Sequence, residues 1–256
     1  MLVVDKKTFM FNVKEIHSAK YPFNIEGCDL LTFQYCKNKS DIRGFKLIKE
    51  HFTAVIDLTQ GLDAIWQNMN KTNRYCINNA KKRGVNVRIS ENYEEFYKIY
   101  KSFIKNKGTA SLFRIFGVGS VDVETMQKYG TLFVSEYNGE LLGGLIYLED
   151  QSNINYWIGA SKRLDVDKEK AKLIGYANRL IHWEAINYAK EKGIKEYDLG
   201  GIFSDEEVEN DKVKMGIRSF KLSFGGERVT RYQYQKIYSK GFKNLYRLYT
   251  FLNKKN

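Results

Sequence analysis

The stretch "GTLFVSEYNGELLGGLIYLEDQSNINYWIGAS" (Gly130–Ser161) decides the fold. Two runs rich in β-branched, aromatic and aliphatic residues, 130–137 and 140–149, are separated only by Asn138-Gly139. Asn-Gly tolerates the positive φ angles of a two-residue hairpin turn, so the pair predicts a tight antiparallel hairpin. After a short polar break, residues 153–161 read as a third strand. Residues 168–193 then keep an apolar stripe at helical spacing, through Leu180, Ile181, Trp183 and Ile186 to Tyr188 and Ala189. "IKEYDLGG" (194–201) is a strand of buried character that ends on two glycines. Three antiparallel strands, a long helix and a returning strand predict an α+β class, with helices layered over a mixed sheet.

Working outward, residues 52–58 alternate as a strand, while 61–70 and 71–84 have helical spacing. Residues 85–90 alternate again, and 92–108 form an amphipathic helix that Asn92 can cap and Gly108 can end. The first fifty residues hold short aromatic runs such as Leu30–Tyr35, read as small strands. Toward the other end, 211–226 contains a short helix around Ile217–Phe224, and 227–239 is a long strand. Residues 240–255 place Phe242, Leu245, Tyr246, Tyr249 and Leu252 on one side of a terminal helix. The divisions expected are 1–88, 89–240 and a basic helix over 241–256.

The 256 residues carry 42 Lys and Arg against 30 Asp and Glu, a net charge of +12. Such an excess favours a polyanionic partner: nucleic acid, a nucleotide-linked substrate or an anionic membrane face. Arg228–Asn256 holds eight basic residues, no acidic one and seven aromatics. That interleaving suits phosphate contact with base stacking, and it equally suits a solvated face over an aromatic stripe. Cys28, Cys36 and Cys76 form neither a CxxC nor an even framework, so reduced thiols are expected. His17, His51 and His182 are scattered, which gives no metal site, no Ser-His-Asp triad and no call for a cofactor. Charge appears by residue 5, and no apolar run approaches membrane-spanning length, so a soluble cytoplasmic protein is expected.

Within Tyr197–Gly226, two Gly-Gly pairs bracket the acidic run Asp205, Glu206, Glu207, Glu209, Asp211 and then Phe220-Lys221. The acidic run reads as a solvated lid. The glycines permit a close backbone approach.

Three stretches, "RYCINNAKKRGVNV" (74–87), "LIHWEAINYAKEKGIKEYDLGG" (180–201) and "GIRSFKLSFGGERV" (216–229), resemble the Fem-type aminoacyltransferases. Those enzymes add amino acids from aminoacyl-tRNA to the peptide of peptidoglycan precursors. The same stretches resemble the wider group of GNAT-fold N-acyltransferases, some of which use acyl-CoA. The resemblance spans about 52–240. It implies a GNAT-like mixed sheet with helices on both faces over 89–240, preceded by a shortened second GNAT-like unit. Lys221, after Phe220, matches the family lysine thought to stabilise the reacting acyl group. Asp198 either orients the acceptor amine and takes its proton, or pins the loop of Gly200 and Gly201. Tyr156 and Trp157 match an aromatic position bordering the cleft, and only one of them can face substrate. Arg74 and Lys81, seven apart on a basic helix, either hold phosphates or form a solvated face. "KLIGYA" (172–177) is an imperfect match to the (Q/R)xxGx(G/A) loop of acetyl-CoA enzymes.

The implied function is an aminoacyltransferase that forms an amide on a free amine of a cell-wall precursor. Its partners would be an aminoacyl-tRNA donor and a nucleotide- or lipid-linked muropeptide acceptor, with a monomer touching an anionic membrane peripherally. One alternative is an acyl-CoA-dependent N-acyltransferase acting on an amino sugar; another is a non-catalytic RNA-binding protein.

Overall fold

A computed structural model of the chain describes residues 1–8, 10–106 and 121–244. The chain divides into two compact units, one built on Met1–His51 with the stretch from Thr230, the other running from Phe52 to Val229. The predicted terminal helix beyond residue 244, with Leu245, Tyr246, Tyr249 and Leu252, lies outside the described residues, as does Gly108.

In the second unit the Gly130–Ser161 stretch forms β6 (Gly130–Tyr137), β7 (Glu140–Glu149) and β8 (Asn153–Ser161). Asn138 and Gly139 take φ of +50° and +76°, the backbone their sequence favours. A parallel neighbour needs a crossover connection. The helix α5 (Lys168–Glu191) supplies it, delivering β9 (Glu196–Ile202) parallel to β8. β9 then pairs antiparallel with β4 (Lys46–Asp57), and β5 (Asn86–Ile89) pairs antiparallel with β6. The strand order within this unit is β4-β9-β8-β7-β6-β5.

Helices cover both faces of that sheet. On one face α5 buries Ile174, Ala177, Ile181, Ala185 and Ala189 with Tyr147, Tyr197 and Leu199 of the sheet. α1 (Leu62–Asn68) and α2 (Lys71–Lys82) contribute Ile65, Ile77 and Ala80 to the same cluster. On the other face α3 (Tyr93–Asn106) and α4 (Val123–Tyr129) bury Phe96, Ile99 and Met126 with Leu132, Ile146 and Ile158. The fold is therefore the expected α+β, GNAT-like mixed sheet flanked by helices. Asn92 caps α3 as read, accepting from the Glu95 N–H at 3.1 Å.

Two local expectations change. The acidic run is ordered by a capping box in which Ser204 and Glu207 satisfy each other's backbone N–H, giving the short helix α6 (Asp205–Val208). Asp205, read as part of a free lid, pairs with Arg218 at 2.6 Å and Arg228 at 2.9 Å. The helix carrying Lys221 is α7 (Lys212–Leu222), which starts five residues before Ile217 because Asp211 accepts from the Val213 and Lys214 N–H groups.

In the first unit β1 (Leu2–Thr8) pairs antiparallel with β2 (Phe11–His17), and β2 pairs parallel with β3 (Leu30–Cys36). β3 also pairs antiparallel with the end of β10 (Glu227–Ile237) that belongs to this unit. Ile16, Leu31, Phe33 and Tyr234 fill its core.

Candidate active site

The sequence places Lys221 near the end of α7 and leaves its side chain to find an acceptor. The acceptor is a backbone carbonyl: Lys221 Nζ donates to Gly201 O at 2.9 Å. Gly200 takes φ of +78°, and a Cβ there would sit 3.4 Å from both Lys221 Nζ and the Tyr156 carbonyl. A side chain at 200 would thus be strained and would crowd the ammonium. Asp198 fixes this turn, its Oδ1 accepting from the Gly200 N–H at 2.7 Å. The second glycine pair is a packing requirement, since a Cβ on Gly225 (φ +83°) would lie 2.6 Å from the Asn68 carbonyl oxygen.

Around the ammonium the walls are aromatic. The Tyr156 ring lies 5.5 Å from Lys221 Nζ. Phe220 and Phe224 stand edge to face at 5.4 Å, and His182 packs against them at 5.8 and 5.0 Å. Burial pushes the Lys221 ammonium down to about 8, although the Asp198 carboxylate pulls the other way. Burial pushes the Tyr156 phenol up to about 12, so it stays protonated. His182 Nδ1 lies within hydrogen-bonding distance of the Tyr197 hydroxyl (2.6 Å) and the Tyr147 hydroxyl (3.1 Å). Its imidazole is pushed down to about 3 by burial, then by the Lys221 and Arg179 charges, so it is neutral at pH 7. Arg179 stacks 4.9 Å over Phe220 and donates to Asn73 Oδ1 at 2.8 Å and Gly175 O at 2.9 Å.

Of the residues singled out from sequence, Lys221, Phe220, Asp198, Gly200, Gly201 and Tyr156 meet here. Trp157 does not: strand alternation turns it to the opposite face, against the cluster of Phe96 and Ile158. Arg74 is not placed to hold phosphate either. Its guanidinium donates to the Trp66 and Gln67 carbonyls at 3.3 and 2.8 Å and also to Met69, satisfying the end of α1. Lys81 pairs with Glu184 of α5 at 2.9 Å.

His182, Tyr147, Tyr197 and Arg179 are the site residues that sequence reasoning passed over. Apart from the Gly175 carbonyl four residues before Arg179, their hydrogen-bond partners lie 15 to 106 residues away along the chain, so local spacing does not signal the site. Two clefts, of about 360 and 400 Å³, also belong to this unit, and Lys221 lines neither.

A lysine held at a glycine turn, inside the stretch that begins at β7, coincides with a family match. Residues 142–254 match the FemAB family model. This stretch is FemAB-family sequence. Among solved structures, FemX aligns over 95% of this chain and 85% of its own, with 15% identity and a TM-score of 0.62. L-PGS from Bacillus licheniformis aligns over 94% of this chain and 82% of its own, with 15% identity and a TM-score of 0.56. At such identity the likeness is one of fold. No curated protein matches the chain by sequence. Among the described residues no helix is long and apolar enough to cross a membrane.

Proposed function

We propose that the chain transfers an aminoacyl group from aminoacyl-tRNA to a free amine on a cell-envelope precursor, a nucleotide- or lipid-linked muropeptide. The FemAB match makes it an acyltransferase. The observation that carries the finer reading is the part-buried Lys221 ammonium, held by the Gly201 carbonyl between Tyr156 and Asp198.

In this reading the acceptor nitrogen attacks the ester carbonyl and a C–N bond forms. The carbonyl oxygen becomes an oxyanion, the ester C–O bond then breaks, and the ribose hydroxyl leaves with a proton while the amine loses one. Lys221 stands where that oxyanion develops, and a fixed donor at such a point lowers the barrier by about 3 kcal/mol. Asp198 is a positioning residue: it holds the glycine turn, and its charge favours the protonated form of Lys221. The aromatic walls exclude water and strengthen the electrostatics. The basic excess of the chain favours association with a polyanionic donor.

The test is transfer of a labelled amino acid from charged tRNA to a nucleotide-linked muropeptide. Lys221→Met should lower turnover by about 100-fold with the circular dichroism spectrum unchanged. Full activity of that variant, or label arriving only from an acyl-CoA, would overturn the reading.

A further inference from the structure

His182 is 3% exposed on α5, yet only one of its two ring nitrogens is used by the fold. Nδ1 faces the Tyr197 hydroxyl at 2.6 Å and the Tyr147 hydroxyl at 3.1 Å, and the two hydroxyls are 2.9 Å apart. Both tyrosines are fully buried, so both hydroxyl protons must find acceptors inside this triangle. One arrangement supplies them: Tyr147 donates to the Tyr197 oxygen, and Tyr197 donates to Nδ1. A proton on Nδ1 would leave one hydroxyl proton without an acceptor, which is costly at this depth. The strands therefore select the tautomer, and the ring proton resides on Nε2.

That N–H makes no hydrogen bond among the described residues. The ring nitrogens diverge, so Nε2–H points away from the two hydroxyls. Around the imidazole stand Tyr156 at 5.5 Å, Phe220 at 5.8 Å and Phe224 at 5.0 Å, rings whose faces offer it no oxygen. Tyr156 and Phe220 are only part-buried, which puts the imidazole just inside an opening. Tyr156 is a shared wall, since Lys221 Nζ lies 5.5 Å from the same ring. Burial, then the Lys221 and Arg179 charges, hold the imidazolium down to about 3. Burial also raises the Tyr147 and Tyr197 phenols well above their ordinary value. At neutral pH the triad is thus neither acid nor base. It holds a neutral N–H dipole in a fixed place.

We infer that His182 is a second catalytic donor, whose Nε2–H shares with the Lys221 ammonium the carbonyl oxygen that gains charge during transfer. The inference rests on the acyl-transfer reading for the identity of that carbonyl. It adds no covalent step and moves no proton: the hydrogen bond strengthens as the oxyanion forms and relaxes as the ester C–O bond breaks. A second ammonium here would repel Lys221, whereas a neutral donor fixed by two buried hydroxyls does not.

The test is the transfer assay with kcat and KM resolved, together with long-range 1H–15N spectra of the chain labelled with 15N-histidine. His182→Asn puts an amide oxygen where Nδ1 stood, so it keeps an acceptor for Tyr197 and removes the Nε2–H. It should lower kcat about 100-fold and leave KM within about twofold. Its descending limb should stay near pH 8, because that limb belongs to Lys221. His182→Gln carries an N–H close to the Nε2 position and should recover all but about tenfold of the rate. In the wild-type spectra His182 should be the neutral Nε2-protonated tautomer from about pH 5.5 to 8.5. Puromycin, an aminoacyl nucleoside whose amide-linked carbonyl does not leave, should move the Nε2–H resonance downfield and leave those of His17 and His51 in place. These spectra decide the matter even where a variant does not fold. Wild-type turnover in His182→Asn, equal losses in the two variants, a proton on Nδ1, or a resonance that puromycin leaves unmoved would overturn the inference. Loss of turnover in Lys221→Met alone would then leave the transfer reading standing. A chain that transfers nothing yet shows the puromycin shift would retire that reading and keep His182 as a carbonyl donor.

Discussion

An ammonium withdrawn from water favours its neutral form, and the opposing carboxylate of Asp198 only partly restores the charge on Lys221. With the group pushed down to about 8, the protonated form that stabilises an oxyanion dominates below that pH and is lost as pH rises through it. The acceptor amine works in the other direction, since it attacks only when neutral. A bell-shaped kcat/KM profile is expected, with a descending limb centred near pH 8. Lys221→Met should keep the ascending limb and lose the descending one. A wild-type profile that climbs without a break to pH 9.5 would separate Lys221 from the chemistry. At this scale Lys221, Asp198 and the glycines were legible, because a motif and a strand end put them in sequence order. His182 was not, because its chemistry comes from hydroxyls on two strands, 15 and 35 residues distant.

Elements explain why basic residues in a family-like segment need not be ligands. The chain bends at Asn70 between α1 and α2, and the bend leaves the last carbonyls of α1 without helical partners. Arg74 reaches back to the Trp66 and Gln67 carbonyls of α1 and to that of its cap residue Met69. Arg74→Ala should therefore cost about 1–3 kcal/mol of stability, read from the urea midpoint, and leave the salt dependence of RNA binding unchanged. A change in that dependence with stability intact would return Arg74 to the phosphate-binding residues. Element legibility followed the strength of periodicity. The Gly130–Ser161 strands were readable because alternation and an Asn-Gly turn agree. The start of α7 was not, because Val213, Met215 and Ile217 are exposed and mark no buried stripe, so only the Asp211 cap sets its beginning. Register within β1 to β3 was equally opaque, since a parallel β2–β3 pair has no local turn to announce it.

Across the whole molecule, a buried histidine in the second unit and a half-buried one in the first make acid the vulnerable direction in both. In the second unit burial pushes His182 down to about 3. In the first, burial pushes His51 down to about 4, with Lys49 and Arg231 adding to the shift, and its Nε2 has no partner among the described residues. A base depressed on folding contributes stability that is complete above its unfolded value of about 6.5 and is lost as pH falls toward the folded one. Glu15 adds a lower step. Burial alone would raise it, but His17 and Lys6 hold it down to about 2, so its contribution is full above about 4.5 and falls away below. At about 1.4 kcal/mol per pK unit, His182 alone removes about 3 kcal/mol between pH 6.5 and 4, and the partly exposed His51 adds less because solvent screens its charge. The urea midpoint should therefore be level from pH 8 to 6.5 and then drop steeply. His51→Phe keeps the ring that packs against Tyr35 at 4.9 Å and removes the titrating nitrogens, so it should flatten the first unit's share of that drop. A midpoint that stays level from pH 6.5 to 4.5 in the wild type would mean that these imidazoles reach water in the folded chain.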